Sequence, residues 1–88
     1  MIYQITFSPA AYRQLEDLPK PDQRRIRERI DRLSTNPRPA GAKAIQGGGG
    51  ILRIRVGDYR VIYKVEDDLL VVLVIRIGHR REVYRRMS

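Results

Sequence analysis

The sequence predicts an α+β fold with an N-terminal strand, a two-helix hairpin packed on one face of a mainly antiparallel sheet of about four strands, and a short C-terminal helix or tail. Three observations predict this fold. Apolar and polar residues alternate near the N-terminus and again from residue 52 onwards, as in strands. Between these regions, apolar residues recur every three or four positions, as on one side of a helix. The 88 residues suffice for one domain, spanning residues 1–88, with one modest core.

The N-terminal segment predicts one strand followed by a short helix. Residues 2–7 alternate and predict a strand whose buried side carries Tyr3, Ile5 and Phe7. Ser8 is suited to cap a helix, and Pro9 is suited to its first position. We expect this helix to end near Leu18, because two prolines follow it closely.

The next segment predicts a second helix and then a loop. A helix from about Pro21 to Leu33 has an apolar stripe formed by Ile26, Ile30 and Leu33. We expect its five arginines to form a solvated surface. Asn36-Pro37-Arg38-Pro39 breaks the chain, and residues 40–50 end in four glycines. Because no Lys-Ser or Lys-Thr and no helical pattern follows these glycines, they predict a flexible surface loop rather than a phosphate-binding loop.

The C-terminal half predicts a meander of three strands. Residues 52–56 and 59–66 alternate around Gly57-Asp58, which suits a two-residue turn with glycine first. Asp67-Asp68 predicts a second turn, after which residues 69–77 are apolar almost throughout. A basic tail follows from Gly78 to the C-terminus.

The first hairpin sorts the side chains of its two strands onto opposite faces. A two-residue turn places Arg55 opposite Arg60, and it places Arg53 opposite Ile62. The face expected under the helices then carries Leu52, Ile54, Val56, Tyr59, Val61, Tyr63 and Val65. The other face gathers three guanidinium groups within about 10 Å. Like charges opposite each other destabilise a sheet, so we interpret this cluster either as a polyanion site or as solvated surface residues.

The same register, continued through the Asp67-Asp68 turn, predicts which residues of the last strand share the arginine face. It places Ile75 opposite Arg60 and His79 on the same side. Four apolar residues would also lie there, namely Leu69, Val71, Leu73 and Ile75. So many apolar groups require a cover. Either the tail, through Val83 and Met87, or an amphipathic helix of a partner protein could supply it.

The composition points to a polyanionic partner. Eighteen Lys and Arg against ten Asp and Glu leave a formal net charge of +8, shared by both halves of the chain. A basic surface can also serve solubility or bind anionic lipid, and we favour nucleic acid or the ribosome. The absence of cysteine excludes disulfides and thiolate sites. No apolar run is long enough to span a membrane, and we expect a soluble cytoplasmic protein that needs no metal or cofactor.

Two segments of the meander resemble the RelE/ParE toxin superfamily. They are Leu-Arg-Ile-Arg-Val-Gly-Asp-Tyr-Arg-Val-Ile-Tyr at residues 52–63 and Ile-Gly-His-Arg-Arg-Glu-Val-Tyr at residues 77–84. The resemblance covers nearly the whole chain and implies the toxin of a type II toxin-antitoxin system. It implies a RelE-like mRNA interferase that cuts mRNA on the ribosome and inhibits translation. The 2′-hydroxyl would attack the adjacent phosphate without a metal ion.

The resemblance assigns a role to each basic residue of the meander and the tail. Arg53 and Arg55 match two basic positions of the family, Arg60 would stabilise the transition state, Arg80 would assist the leaving 5′-oxygen, and Tyr84 would stack on or orient a base. We expect further RNA contacts from Lys43, Arg81 and Arg85. Some relatives carry lysine where this chain has Arg53 and Arg55, and guanidinium is the poorer proton shuttle. The general base is therefore unassigned, and His79, the chain's only histidine, is either a catalytic candidate or a turn residue.

The resemblance also implies partners and leaves an alternative function. The partners would be a small acidic, RelB-like antitoxin and a ribosome with mRNA in its A site. Operator DNA would be bound only through the antitoxin complex, and no membrane contact is expected. The alternative is a ParE-like toxin that poisons DNA gyrase without cutting RNA. A regulatory module without catalysis is a third and less favoured hypothesis.

Overall fold

A computed structural model describes residues 2–45 and 49–79, which form two helices and a five-stranded sheet. The elements are β1 (Gln4–Phe7), α1 (Pro9–Glu16), α2 (Lys20–Arg32), β2 (Lys43–Ala44), β3 (Ile51–Val56), β4 (Tyr59–Glu66) and β5 (Val71–His79). The strand order is β1-β5-β4-β3-β2. β1 runs parallel to β5, and the other neighbours are antiparallel. The predicted α+β class is confirmed, whereas β2 forms inside the segment predicted as a loop.

The two helices begin where local chemistry favours a helix. The Ser8 hydroxyl accepts a hydrogen bond from the Ala11 amide at 3.0 Å, and Pro9 occupies the first turn of α1. The Gln23 side chain of α2 donates to the carbonyl oxygens of Leu15 and Glu16 at the end of α1. This amide satisfies helix-end carbonyls that have no partner within α1, and it fixes the hairpin of the two helices.

The core lies between the two helices and one face of the sheet. The helices contribute Ala11, Leu15, Ile26, Ile30 and Leu33, and the sheet contributes Ile54, Val56, Val61, Tyr63, Val65, Val72, Val74 and Ile77. The predicted apolar side of β1 is confirmed, because its three residues pack against this core. The predicted buried face of the first hairpin also lies here. None of the described helices combines the length and the apolar character needed to cross a membrane.

The β3–β4 hairpin has the predicted register. Arg55 pairs with Arg60, and Arg53 pairs with Ile62. Gly57 has a φ of +61°, whereas Asp58 does not have a positive φ. This is the combination expected of a two-residue turn with glycine at its first central position, and it matches the right-handed twist of the strands.

The register predicted for β5 is wrong. The β4–β5 turn spans four residues, from Asp67 to Leu70, because Leu70 adopts a left-handed φ of 53° before β5 begins. The ladder then shifts between Ile62 and Tyr63, because a bulge adds a residue to β5. As a result, Arg60 pairs with Gly78 rather than with Ile75. An odd total shift moves the following side chains to the opposite face of the sheet.

The bulge in β5 is stabilised by side chains from the N-terminal half. The Ser8 hydroxyl donates to the Ile75 carbonyl oxygen at 2.7 Å, and the Gln14 side-chain oxygen accepts from the Ile77 amide at 2.8 Å. These bonds replace ladder partners at the edge that β1 leaves uncovered beyond Phe7. Gly78 and His79 belong to β5 rather than to the predicted tail, and residues 80–88 lie outside the described residues.

Candidate functional site

The sheet face turned away from the helices, here called the open face, gathers basic side chains at its hairpin end. The strand register orders this end into two rows across the sheet, and paired residues share a face. The first row is Arg55–Arg60–Gly78, and the second is Lys43–Arg53–Ile62–Arg76. These two basic rows hold four arginines, one lysine and, among the described residues, no acidic side chain.

The basic rows place positively charged residues on neighbouring strands, directly opposite one another. Cross-strand neighbours have Cα atoms about 4.5–5.5 Å apart, so Arg55 and Arg60 lie side by side. The short strand β2 brings Lys43 next to Arg53. Arg53 and Arg60 each make at least one further polar or electrostatic contact. Such a cluster attracts polyanions and opposes folding, because its charges repel one another.

Arg76 is the residue of this face that the sequence-based prediction did not include. The shifted register pairs it with Ile62, in the middle of the second basic row. Its Nε atom is buried and has no hydrogen-bond partner. A signal was present in the sequence, because Arg76 is the single charged residue between Leu69 and Ile77. A charged side chain in an apolar strand must reach solvent or a partner.

Ile62 forms an apolar floor within the basic rows. It is fully buried, yet it does not belong to the core between the helices and the sheet. Arg53 and Arg76 flank it in the register. The aliphatic stems of arginine side chains can cover such a residue while their guanidinium groups stay accessible.

The opposite end of the sheet, around the β4–β5 turn, pairs its cations with acids. Lys64 lies 3.1 Å from Glu66, and Arg38 contacts both carboxylate oxygens of Asp67 at 3.2 and 2.8 Å. The Tyr3 hydroxyl also donates to Asp67 at 2.7 Å. Hydrogen bonds from Arg38 and Tyr3 lower the pKa of Asp67 to about 2. The two cations at this turn end, Lys64 and Arg38, are therefore paired with acids of the protein itself.

His79 does not lie on the open face, which corrects the prediction that grouped it with the arginines. It pairs with Tyr59 on the helix-facing side, and the two rings make an edge-to-face contact with centroids 6.2 Å apart. The Tyr59 hydroxyl donates to Asp22 of α2 at 3.1 Å. Burial and the neighbouring Asp22 carboxylate raise the pKa of Tyr59. The physical reason for the error is the odd register shift in β5.

The structure thus brings together four of the sequence-predicted site residues, namely Lys43, Arg53, Arg55 and Arg60. It separates His79 from them by the thickness of the sheet. Four other predicted residues lie outside the described residues: Arg80, Arg81, Tyr84 and Arg85. Val71 and Leu73 lie on the open face as predicted, because they pair with Glu66 and Lys64. Within residues 2–45 and 49–79, no three potential metal-binding side chains of His, Asp or Glu cluster together.

Comparison with known sequences places the chain in a family. The family described as ParE toxin of type II toxin-antitoxin system, parDE, matches residues 5–84. The chain belongs to this family. This toxin is similar to Toxin RelG of Mycobacterium tuberculosis, with 31% identity over 87 residues that cover 98% of this chain and 100% of that protein. The sequence resemblance to the RelE/ParE superfamily is therefore confirmed.

Solved structures confirm the fold of the toxin. The archaeal RelE–RelB complex from Pyrococcus horikoshii contains a chain with a TM-score of 0.80 and 32% identity, covering 91% of this chain and 97% of that chain. The RelBE2 toxin–antitoxin complex from Mycobacterium tuberculosis gives a TM-score of 0.80 at 28% identity, covering 91% and 100%. A free Escherichia coli RelE mutant gives 0.81 at 26% identity, covering 97% and 93%. The toxin thus has the α+β architecture of RelE structures.

The chemistry available to the toxin on its open face is electrostatic. Guanidinium groups form paired, charge-assisted hydrogen bonds with phosphate oxygens and remain protonated at physiological pH. The basic rows can therefore bind a phosphodiester and stabilise negative charge that develops on it. The arginines of these rows cannot readily accept a proton, so the base for any proton transfer is another group.

Proposed function

We propose that the toxin is a ribosome-dependent mRNA endoribonuclease that inhibits translation in the cytoplasm. The observation that carries this proposal is the pair of basic rows, in which five cations share one accessible sheet face. A cost to folding of this kind calls for a functional role, and binding of the RNA backbone is the role that suits it. Relatives named RelE and RelG support the same function.

The proposed reaction is an internal transesterification of RNA. The 2′-oxygen forms a bond to the adjacent phosphorus, the bond from phosphorus to the 5′-oxygen breaks, and the products are a 2′,3′-cyclic phosphate and a free 5′-hydroxyl. Arg60 stabilises the negative charge of the pentacoordinate transition state. Arg80 assists the departing 5′-oxygen, and Tyr84 stacks on or orients a base. Arg53 and Arg55 hold the flanking backbone.

The reaction needs a proton acceptor and a proton donor, but it needs no redox partner. The proton of the 2′-hydroxyl passes to a base other than the arginines of the basic rows, because guanidinium groups hold their protons tightly. The 5′-oxygen gains a proton as it leaves. Because guanidinium groups supply the positive charge, we expect cleavage to proceed without a metal ion bound by the toxin.

An antitoxin partner follows from the proposed activity and from the assemblies of the relatives. The structures from Pyrococcus horikoshii and Mycobacterium tuberculosis are complexes of toxin with RelB-type antitoxin. We propose that a small acidic antitoxin covers the open face, where Val71 and Leu73 lie beside the basic rows. Operator DNA would be bound through the antitoxin in that complex.

The test uses the purified toxin and ribosomes that carry a defined mRNA. We expect cuts at codon-dependent positions, mapped by primer extension, and no cuts in the same mRNA without ribosomes. Arg60→Ala and Arg80→Ala should each remove cleavage and toxicity while circular dichroism shows an unchanged fold. Full cleavage by both variants would contradict the assignment of the active site.

A second candidate function is that of a gyrase poison, which the match to the ParE toxin family favours. In this case the basic face would bind a protein or its DNA, and RNA would stay intact. Incubation with gyrase and supercoiled plasmid distinguishes the two functions. Accumulation of cleaved plasmid with intact ribosomal mRNA would support the gyrase poison and overturn the nuclease.

A further inference from the structure

Arg76 lies in the basic rows although its position in the sequence suggests a buried apolar strand. The bulge in β5 pairs it with Ile62, and this places it diagonally across the β4–β5 ladder from Arg60. Diagonal neighbours on one sheet face lie about 7–8 Å apart and are within reach of long side chains. The residue directly opposite Arg60 is Gly78, which has no side chain to separate the two arginines.

The Arg76 side chain is buried as far as its Nε atom, and it forms no ion pair with an acidic side chain of the described residues. Its Nε atom is buried without a hydrogen bond, in contrast to the bidentate pairing of Arg38 with Asp67. Burial of a charged group without a partner is unfavourable. An anion at the Nη atoms would stabilise the positive charge of this half-buried side chain, and a phosphate fits the planar donor fork of guanidinium.

We propose that Arg76 binds a phosphate of the RNA strand next to the phosphate at Arg60. This inference rests on the proposed nuclease function and extends its binding site along the second basic row. Arg76 contributes to RNA affinity through one phosphate contact. Its guanidinium group engages the ligand through the Nη atoms, while its stem lies beside Ile62.

The test measures binding of a single-stranded RNA oligonucleotide, made uncleavable by 2′-O-methyl groups, by fluorescence anisotropy over a series of salt concentrations. Arg76→Gln keeps most of the stem and removes the charge. We expect it to weaken binding about tenfold, as loss of a charge-assisted hydrogen bond does. The slope of log affinity against log salt should fall by about 0.7, the value for one phosphate contact in a single strand.

Lys64→Gln is the matched control, because Lys64 lies on the same face and its charge is already paired with Glu66. We expect it to change affinity less than about twofold. Equal losses in the two variants would show a mere effect of net charge and would overturn the proposal. Absence of RNA binding by the wild-type toxin would overturn it as well.

Arg76→Lys guards against a purely structural effect, since it keeps both the stem and the charge but loses the planar fork. It should retain the salt slope and show intermediate affinity. Wild-type affinity in both Arg76 variants would overturn the proposal. Ribosome assays on the same proteins separate the two proposals: RNA binding that depends on Arg76 without mRNA cleavage would refute the nuclease and leave the Arg76 contact standing.

Discussion

The two ends of the sheet use cations in opposite ways. At the hairpin end, the basic rows bring together Lys43, Arg53, Arg55, Arg60 and Arg76, and their described members include no carboxylate. At the turn end, Lys64 pairs with Glu66, and Arg38 pairs with Asp67. The difference shows that the same residue types can form an accumulation of positive charge or a structural clamp, depending on whether a described acidic residue lies beside them.

This contrast has an energetic consequence. Like charges on neighbouring strands destabilise a sheet by about 0.2–1 kcal/mol for each pair, so the repulsion between Arg55 and Arg60 at the hairpin end opposes folding. The turn end fixes the segment between α2 and β2, because Arg38 binds Asp67 and the Tyr63 hydroxyl donates to the Pro37 carbonyl oxygen at 2.7 Å. That segment leads to Lys43, which completes the second basic row.

The largest expected effect is loss of activity at the hairpin end. Arg60→Ala should slow cleavage of ribosome-bound mRNA by 10²–10³-fold or more, as removal of a transition-state donor does. The melting temperature should change little, because relief of the repulsion from Arg55 opposes the loss of the further contact that Arg60 makes. Single-turnover kinetics and thermal unfolding measure the two quantities. If the cleavage rate fell only in proportion to the fraction of unfolded protein, Arg60 would have a structural role, and the contrast between the two ends of the sheet would be contradicted.

The next effect concerns the turn that aligns the basic rows. Gly57→Ala forces a side chain into a φ of +61°, which costs about 1–2 kcal/mol. The added Cβ would also lie 3.1 Å from the Arg25 Nη2 atom, but that flexible side chain can move. We expect a lower free energy of unfolding in urea. Asp58→Ala, in the same turn without a positive φ, is the control and should change stability much less.

A smaller effect on stability is expected from Tyr63, a core residue that bonds to the segment between α2 and β2. Tyr63→Phe removes the hydrogen bond to Pro37 and should lower the free energy of unfolding by about 1 kcal/mol. Burial raises the pKa of Tyr63 to about 12, so its contribution is present below pH about 10 and is lost as the pH rises towards 12. The difference between wild type and Tyr63→Phe should therefore shrink in alkaline urea titrations. A constant difference up to pH 12 would contradict this assignment.

The smallest effect is expected at the exposed clamp. The pKa of Asp67 lies near 2, below its ordinary value of about 3.9. The ionised carboxylate therefore stabilises the fold fully at pH values above about 3.9, and this stabilisation is lost as the pH falls towards 2. Asp67→Asn should lower the melting temperature at pH 7 and approach the wild type near pH 2. RNA cleavage at neutral pH and moderate temperature should persist. An equal difference in melting temperature between the two proteins at pH 7 and near pH 2 would contradict the stabilising role of the Asp67 carboxylate.

Much of the fold could be predicted because it depends on local signals. Ser8 and Pro9 determine the start of α1, and the positive φ at Gly57 suits the tight turn that sets the register of the first hairpin. The alternation of apolar and polar residues in the two hairpin strands predicted that Arg53, Arg55 and Arg60 share one face, as the register confirms. These signals act over a few residues, so a single sequence suffices to interpret them.

The remainder depended on contacts between distant segments. The left-handed Leu70 and the bulge near Ile75 shift β5 against β4, and neither has a distinctive residue type. The bulge is held by Ser8 and Gln14, more than sixty positions away in sequence. The misplaced His79 and the overlooked Arg76 both follow from this shift. The two-residue β2 is likewise too short to show a period and forms only because β3 offers an edge.

The most direct test removes two charges from one end of the sheet at a time. Arg55→Gln/Arg60→Gln and Arg38→Gln/Lys64→Gln change the net charge equally, and cleavage of ribosome-bound mRNA is followed in single-turnover kinetics below both melting temperatures. We predict a loss of at least about 100-fold for the hairpin-end pair and a change within a few-fold for the turn-end pair. Equal losses in the two proteins would contradict the claim that the basic rows form the RNA site.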